Sequence, residues 1–219
     1  MKKVLFWFGY LFLYQMSYPF FLIIDIPGSV YAPGRVVWNS FERGILLQLA
    51  QKIKQEVEVK IPSSIVRVSD AIQKEVISPL NKAQRYNILS PDMILFLGAY
   101  QEEKEYRVYI YHFSYQQPFI GQFESCAFYP YQKAYMLSYY KTETIALEAA
   151  AIFSKEAYHP LFEVNGPYAA PIYPLIGLTI PAIMLEFGIL KERDEHIFID
   201  AVVESIQSIA SRKSVGMYD

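Results

Sequence analysis

The chain is poor in the residues that build metal and redox centres. It has one cysteine, Cys126, and three histidines in 219 residues. A lone cysteine excludes an intramolecular disulfide, a C-x-x-C redox pair and a cysteine-rich zinc site. An excess of either charge is lacking too: 20 basic residues against 22 acidic ones leave a net charge of −2 and a pI near 6.0. Without a basic stripe there is no electrostatic footprint for nucleic acid. The patterns G-x-x-x-x-G-K-[ST], G-x-G-x-x-G, H-E-x-x-H and G-x-S-x-G are all missing. Phosphate cradles, dinucleotide fingerprints and a nucleophile elbow therefore have no support. What is abundant is apolar and aromatic. Hydrophobic residues make up 53 % of the chain, with 19 tyrosines and 15 phenylalanines, against 19 % charged residues. That composition buries a substantial core, and the length suits one medium-sized domain.

The N-terminus has the grammar of targeting. Lys2 and Lys3 precede an eleven-residue apolar run at 4–14 (VLFWFGYLFLY), followed by Gln15-Met16-Ser17. A charged start and a run of that length read as an export signal. Gln15 and Ser17 imitate a cleavage site only loosely, so 1–17 is expected as a signal sequence or an uncleaved membrane anchor, and 18–219 as the domain. Continued to Ile24, the apolar stretch also reaches the roughly 20 residues that span a bilayer. Pro19 and Asp25 oppose that, and 20–25 (FFLIID) is expected as a buried strand.

Helical and strand patterns alternate from there on. After the Pro/Gly-rich loop 26–34, the stretch 41–56 carries Ile45, Leu46, Leu49 and Ile53 at helical spacing, with Asn39 and Glu42 placed as a capping box. Strands are expected at 64–68, 93–99, 106–113 and 182–188, and helices at 142–155 and 194–211. The alternation predicts a single α/β domain with a mixed or largely parallel central sheet flanked by helices.

Several landmarks, in order, resemble the zinc-dependent N-acetylmuramoyl-L-alanine amidases, which cut between glycan and stem peptide in bacterial peptidoglycan. Asp25-Ile26-Pro27-Gly28-Ser29-Val30 stands where that family has D-P-G-H-G-G, and Pro33-Gly34 matches its following P-G. Glu42 matches the glutamate that opens the first helix. Arg67 and Asp70 match R-x-x-D, and Asn87 and Asp92 match the next asparagine and aspartate. Phe96-Leu97-Gly98-Ala99-Tyr100 replaces S-I-H-A-N, and Pro181-Ala182-Ile183-Met184-Leu185-Glu186-Phe187-Gly188-Ile189 matches P-A-(V/L)-L-(V/I)-E-(T/V)-G-F. The likeness runs over most of 20–210. It implies the amidase fold, with a cleft formed by Asp25, Gly28, Glu42, Arg67, Gly98 and Glu186.

The departures fall on the metal. The family's two zinc histidines correspond to Gly28 and Gly98, and of the ligand positions only Glu42 is retained. A catalytic zinc needs three protein ligands and an open position. Losing two ligands weakens binding by about 6–8 kcal/mol, so no zinc or other cofactor is expected. Glu186 corresponds to the catalytic glutamate and is expected as a relic general base with no activated water to act on. The resemblance thus implies an exported protein of the cell envelope or periplasm, whose partner is a peptidoglycan fragment or a cell-wall protein rather than nucleic acid. The expected role is binding or regulation without catalysis. An active amidase with a rebuilt metal site and a structural envelope protein are the alternatives.

Plainer roles stand beside these. Glu42 can cap its own helix by reaching back to Asn39. Glu186 can form a structural ion pair, with Arg67 as the candidate partner. His112, His159 and His196 match no zinc position, although Glu42, Glu186 and either His112 or His159 define a conceivable relocated site. Cys126 reads as a packing residue. Phe128-Tyr129-Pro130-Tyr131, Tyr135, Tyr139 and Tyr140 form a tyrosine-rich stretch, suited to a ligand or to packing over the sheet.

Overall fold

The structure, a computed structural model, describes residues 19–69, 77–115 and 131–214. The expectations for 1–17, Asp70, Cys126, Phe128 and Tyr129 lie outside these residues.

Among the described residues, eight strands and four α-helices follow one another. They are β1 (Phe21–Asp25), β2 (Val36–Val37), β3 (Ser40–Phe41), α1 (Glu42–Lys60), β4 (Ile65–Val68), α2 (Pro79–Leu89), β5 (Met93–Gln101), β6 (Arg107–Phe113), α3 (Tyr139–Phe153), β7 (Glu163–Ala170), β8 (Ala182–Ile189) and α4 (Ile199–Ser214). Six strands form one sheet in the order β4-β1-β5-β8-β6-β7, and β2 pairs with β3 as a separate ribbon. Every neighbouring pair in the large sheet is parallel except β6 with β8. The chain is a single α/β domain with a mostly parallel central sheet flanked by helices, as its alternating pattern predicts.

The apolar stretch at 20–24 belongs to this sheet. Phe21–Asp25 is β1, with Leu22, Ile23 and Ile24 buried between β4 and β5. It is therefore a strand and does not prolong the apolar run before it. Among the described residues, no helix is long and apolar enough to cross a membrane.

One face of the sheet carries the main core. Leu95, Leu97 and Ala99 of β5, Ile183, Leu185 and Phe187 of β8, and Val108 and Ile110 of β6 point into it. Three helices cover that face with residues at helical spacing: Leu46, Leu49, Ile53 and Val57 of α1, Ile145, Ala149 and Phe153 of α3, and Val202, Ile206 and Ile209 of α4. The opposite face is covered over the amino-terminal half of the strands. There Ile23, Ile94, Phe96 and Ala182 pack on Ala83 and Tyr86 of α2 and on Leu175 and Leu178. Toward the carboxyl ends of β5 and β8 the same face carries the half-buried Tyr100 and Glu186, and that end is where open α/β sheets place ligands.

Two landmarks act as clamps. Asn87 donates from Nδ2 to the Gly177 carbonyl (2.9 Å) and accepts from the Thr179 amide (3.0 Å), which fixes the segment leading into β8. Asp92 accepts from the Phe21 amide at 2.8 Å and from Lys213 at 2.7 Å, which ties the start of β1 to the end of α4.

His112 lies on the core face of β6, its ring edge-on to Tyr139 with centroids 5.8 Å apart. Its buried Nδ1 has no hydrogen-bond partner among the described residues. Burial pushes its pKa down, against an opposing pull from the Glu143 charge. The unfolded chain thus takes up this proton first. The contribution is fully favourable above the ordinary histidine value of about 6.5 and is lost as pH falls below it. Chemical denaturation at pH 7.5 and 5.5 is expected to show about 1 kcal/mol more acid loss for the unaltered chain than for His112→Leu. Equal acid losses would count against a neutral buried imidazole.

Candidate functional site

Glu42 is placed by a loop that folds back on its helix. The Glu42 amide donates to the Arg35 carbonyl (2.8 Å), and the Arg43 amide donates to the Pro33 carbonyl (3.0 Å). Gly34 has φ +85°, and a Cβ there would sit 2.8 Å from Glu42 Oε2, so its hydrogen makes room for the carboxylate. The carboxylate is almost fully buried, its side chain 5 % exposed. Oε2 accepts from the Arg35 amide and Nε, both at 3.2 Å. Oε1 accepts from Arg35 Nη2 at 2.9 Å and from the Ala99 amide at 3.0 Å. Helix capping by Glu42 is therefore corrected: the helix has no side-chain cap, and the carboxylate is committed to Arg35 and β5. Asn39 instead donates to Glu192.

Arg35 also reaches Glu186, Nη2 donating to Oε1 at 2.7 Å. Gly98 pairs with Glu186 across β5 and β8, and a Cβ built on it would lie 3.6 Å from the same Nη2. One guanidinium thus spans two carboxylates over a glycine. Its hydrogen bond to Glu42 contributes most to holding its pKa above the ordinary arginine value, with Glu186 adding to the effect. Arg35 is 48 % exposed and Glu186 19 %, so the pair opens to solvent while Glu42 does not.

Beside Glu186 stands a row of tyrosines. Tyr109 of β6 is its direct cross-strand partner. Ring contacts run from Tyr100 to Tyr109, Tyr111 and Tyr168, with centroids 6.3, 6.1 and 5.9 Å apart. Burial, and then the Glu186 charge, push the Tyr111 phenol up, as expected for a hydroxyl near an anion.

The other residues expected in the cleft are placed differently. Asp25 is fully buried and satisfied: Ser69 Oγ donates to it at 2.6 Å, and Lys82 Nζ lies 3.0 Å from both of its oxygens. Arg67 is on β4, three strands from Glu186 in the sheet, with its guanidinium 5.1 Å above the Phe21 ring. The Glu186 ion pair is thus made by Arg35, not Arg67. The histidines do not join the two glutamates. His112 faces the core, whereas Glu186 lies on the tyrosine side, His159 sits beside Glu105 and Phe162, and His196 contacts the Arg193 carbonyl. Among the described residues, no group of three metal-type side chains is assembled.

The two glycines that the sequence resemblance sets against histidines differ physically. Gly28 has φ +79°, its carbonyl accepts from Arg43 Nη1 at 2.9 Å, and a Cβ there would meet the Ala32 carbonyl oxygen at 2.4 Å. Gly98 has ordinary strand geometry, and its nearest obstacle is the end of the flexible Met184 side chain at 2.9 Å. Gly28→Ala is expected to cost about 1–2 kcal/mol in urea denaturation, and Gly98→Ala to stay within about 1 kcal/mol of the unaltered chain. A larger loss at Gly98 than at Gly28 would contradict the distinction.

Sequence reading missed Arg35 and the row on Tyr100, Tyr109, Tyr111 and Tyr168. A signal for Arg35 was present. Two glutamates matched to one cleft, without histidines or metal, need a cation, and Arg35 follows the matched Pro33-Gly34 directly. The tyrosine-rich stretch packs in part over the sheet, Tyr135 against Phe113 at 5.2 Å and Tyr139 against His112, while Tyr140 is exposed.

The chain has the fold of the N-acetylmuramoyl-L-alanine amidases. The amidase from Clostridium difficile 630 matches with a TM-score of 0.58 at 15 % identity, over 90 % of this chain and 99 % of that one. AmiC2 of Nostoc punctiforme matches with a TM-score of 0.58 at 9 % identity, over 88 % and 97 %. The CwlD amidase from Clostridioides difficile, solved in complex with the GerS lipoprotein, matches with 0.53 at 15 % identity, over 90 % and 98 %. No family model and no curated protein matches the sequence.

Proposed function

We propose that this chain is an exported, amidase-like protein of the cell envelope that binds peptidoglycan or its fragments without hydrolysing them. The observation that carries the reading is the Arg35 guanidinium between Glu42 and Glu186, above Gly98. Zinc does not fit these residues. Both oxygens of Glu42 already accept hydrogen bonds, Gly98 offers no donor atom, and the Gly28 loop closes on its own backbone. An arginine cannot release its proton and presents only donors, so it neutralises carboxylates without activating water. Glu186, at the position of the family's catalytic glutamate, is held by that guanidinium instead of facing a metal-bound water. The fold shared with amidases and the signal-like N-terminus support a cell-wall ligand and an envelope location. The complex of CwlD with a lipoprotein makes a cell-wall protein a natural second class of partner.

The test is incubation of the full chain with purified peptidoglycan. It is expected to sediment with the polymer and to release no stem peptide. Stem-peptide release abolished by Glu186→Gln would instead establish a working amidase, and failure to sediment would remove the binding reading.

A further inference from the structure

The Arg35–Glu186 pair leaves one polar atom of each partner unused. We propose that this pair, with the tyrosine row beside it, binds a primary ammonium group of a peptide next to a carbonyl oxygen, as found at a free amino end. The inference rests on the binding reading above and narrows its ligand.

Glu186 Oε1 is taken by Arg35 Nη2, while Oε2 makes no hydrogen bond among the described residues. Arg35 uses Nε and Nη2 and leaves both hydrogens of Nη1 without a partner among them. A free acceptor therefore flanks a free donor, on either side of a 2.7 Å contact. An amino terminus has the complementary order: its ammonium donates and the carbonyl of the same residue accepts.

Charge selects the cation. Two carboxylates and one guanidinium sum to −1, so a ligand ammonium is attracted and a lone anion is not. Arg107, the next cation along β6, is already engaged by Glu102, Glu105 and Glu163 and does not reverse that sign. The tyrosines complete the site. Phenol rings attract ammonium groups through their faces. The hydroxyls of Tyr109, Tyr111 and Tyr168 make no hydrogen bond among the described residues and remain available to amides. An amide cut between glycan and peptide uncovers such an ammonium, so the site suits the released peptide better than the joined one.

The experiment is competition. The full chain is bound to peptidoglycan, and L-alanyl-L-alanine or its N-acetyl derivative is added. The free-amine dipeptide is expected to displace the protein at about tenfold lower concentration than the acetylated one, a preference worth about 1.4 kcal/mol. Glu186→Gln is expected to erase the difference, and a thermal melt reports whether that variant folds. The comparison on the unaltered chain stands without it. Equal displacement by both dipeptides, or by neither, overturns the ammonium site and leaves peptidoglycan binding intact. A chain that never binds the polymer overturns the reading on which the site rests.

Discussion

Replacing Lys82 with methionine is expected to lower folding stability by about 3–5 kcal/mol, because it strands a buried charge. Asp25 has no solvent exposure, and its oxygens are met by Lys82 Nζ at 3.0 Å and by Ser69 at 2.6 Å. Methionine fills much of the lysine volume but supplies no proton donor, so the carboxylate keeps only the neutral hydroxyls of Ser69 and Tyr86 and loses its counter-charge. Its own burial, and then the Asp25 charge, hold the Tyr86 phenol well above its ordinary pKa, so Tyr86 stays protonated and is a neutral donor beside the carboxylate without replacing the lost cation. Denaturant midpoints measure the loss. Adding Asp25→Asn to Lys82→Met removes the stranded charge while keeping an acceptor for Ser69, and is expected to recover part of it. A loss under about 1 kcal/mol in Lys82→Met would mean that water reaches Asp25 and that the end of β1 is not sealed.

Arg35→Met has the second largest expected effect, about 2–3 kcal/mol, smaller because half of the arginine side chain is exposed and solvent screens its pairs. The variant leaves the buried Glu42 with two backbone donors, the amides of residue 35 and Ala99, and no cation, and leaves Glu186 without its partner. Both carboxylates then face a gap with no counter-charge. Arg35→Lys restores a charge but not a planar fork, and is expected to recover stability only partly, since one ammonium cannot meet both Glu42 oxygens and Glu186 in the same geometry. Full recovery with lysine would show that charge alone matters and that the bridging geometry does not.

Much of the fold was legible because its strands are apolar and bounded. The stretches 20–25, 93–99 and 182–188 fall on β1, β5 and β8, since a strand buried on both faces writes a continuous apolar run, while 64–68 and 106–113 fall on β4 and β6, where buried positions alternate with more exposed ones. The pieces that escaped are those whose surroundings decide them. The edge strand β7 (EVNGPYAA) carries glycine and proline and is largely exposed, so no alternation marks it. Helix α2 (PLNKAQRYNIL) buries only Ala83 and Tyr86, too little for a visible stripe. The site was half legible. Glu42, Gly98 and Glu186 do meet, but Arg35 joins them across 151 residues to Glu186, and no local pattern encodes that distance. The tyrosines were hidden for a related reason: Tyr100, Tyr109, Tyr111 and Tyr168 come from three strands and become neighbours through sheet register.

The most direct measurement is sedimentation of the metal-analysed full chain with peptidoglycan, before and after treatment with a chelator. If Arg35 supplies the cation of this site, the purified protein carries no stoichiometric zinc, chelation leaves sedimentation unchanged, and Arg35→Met weakens it. Zinc near one equivalent, together with sedimentation lost to the chelator and untouched by Arg35→Met, would contradict it.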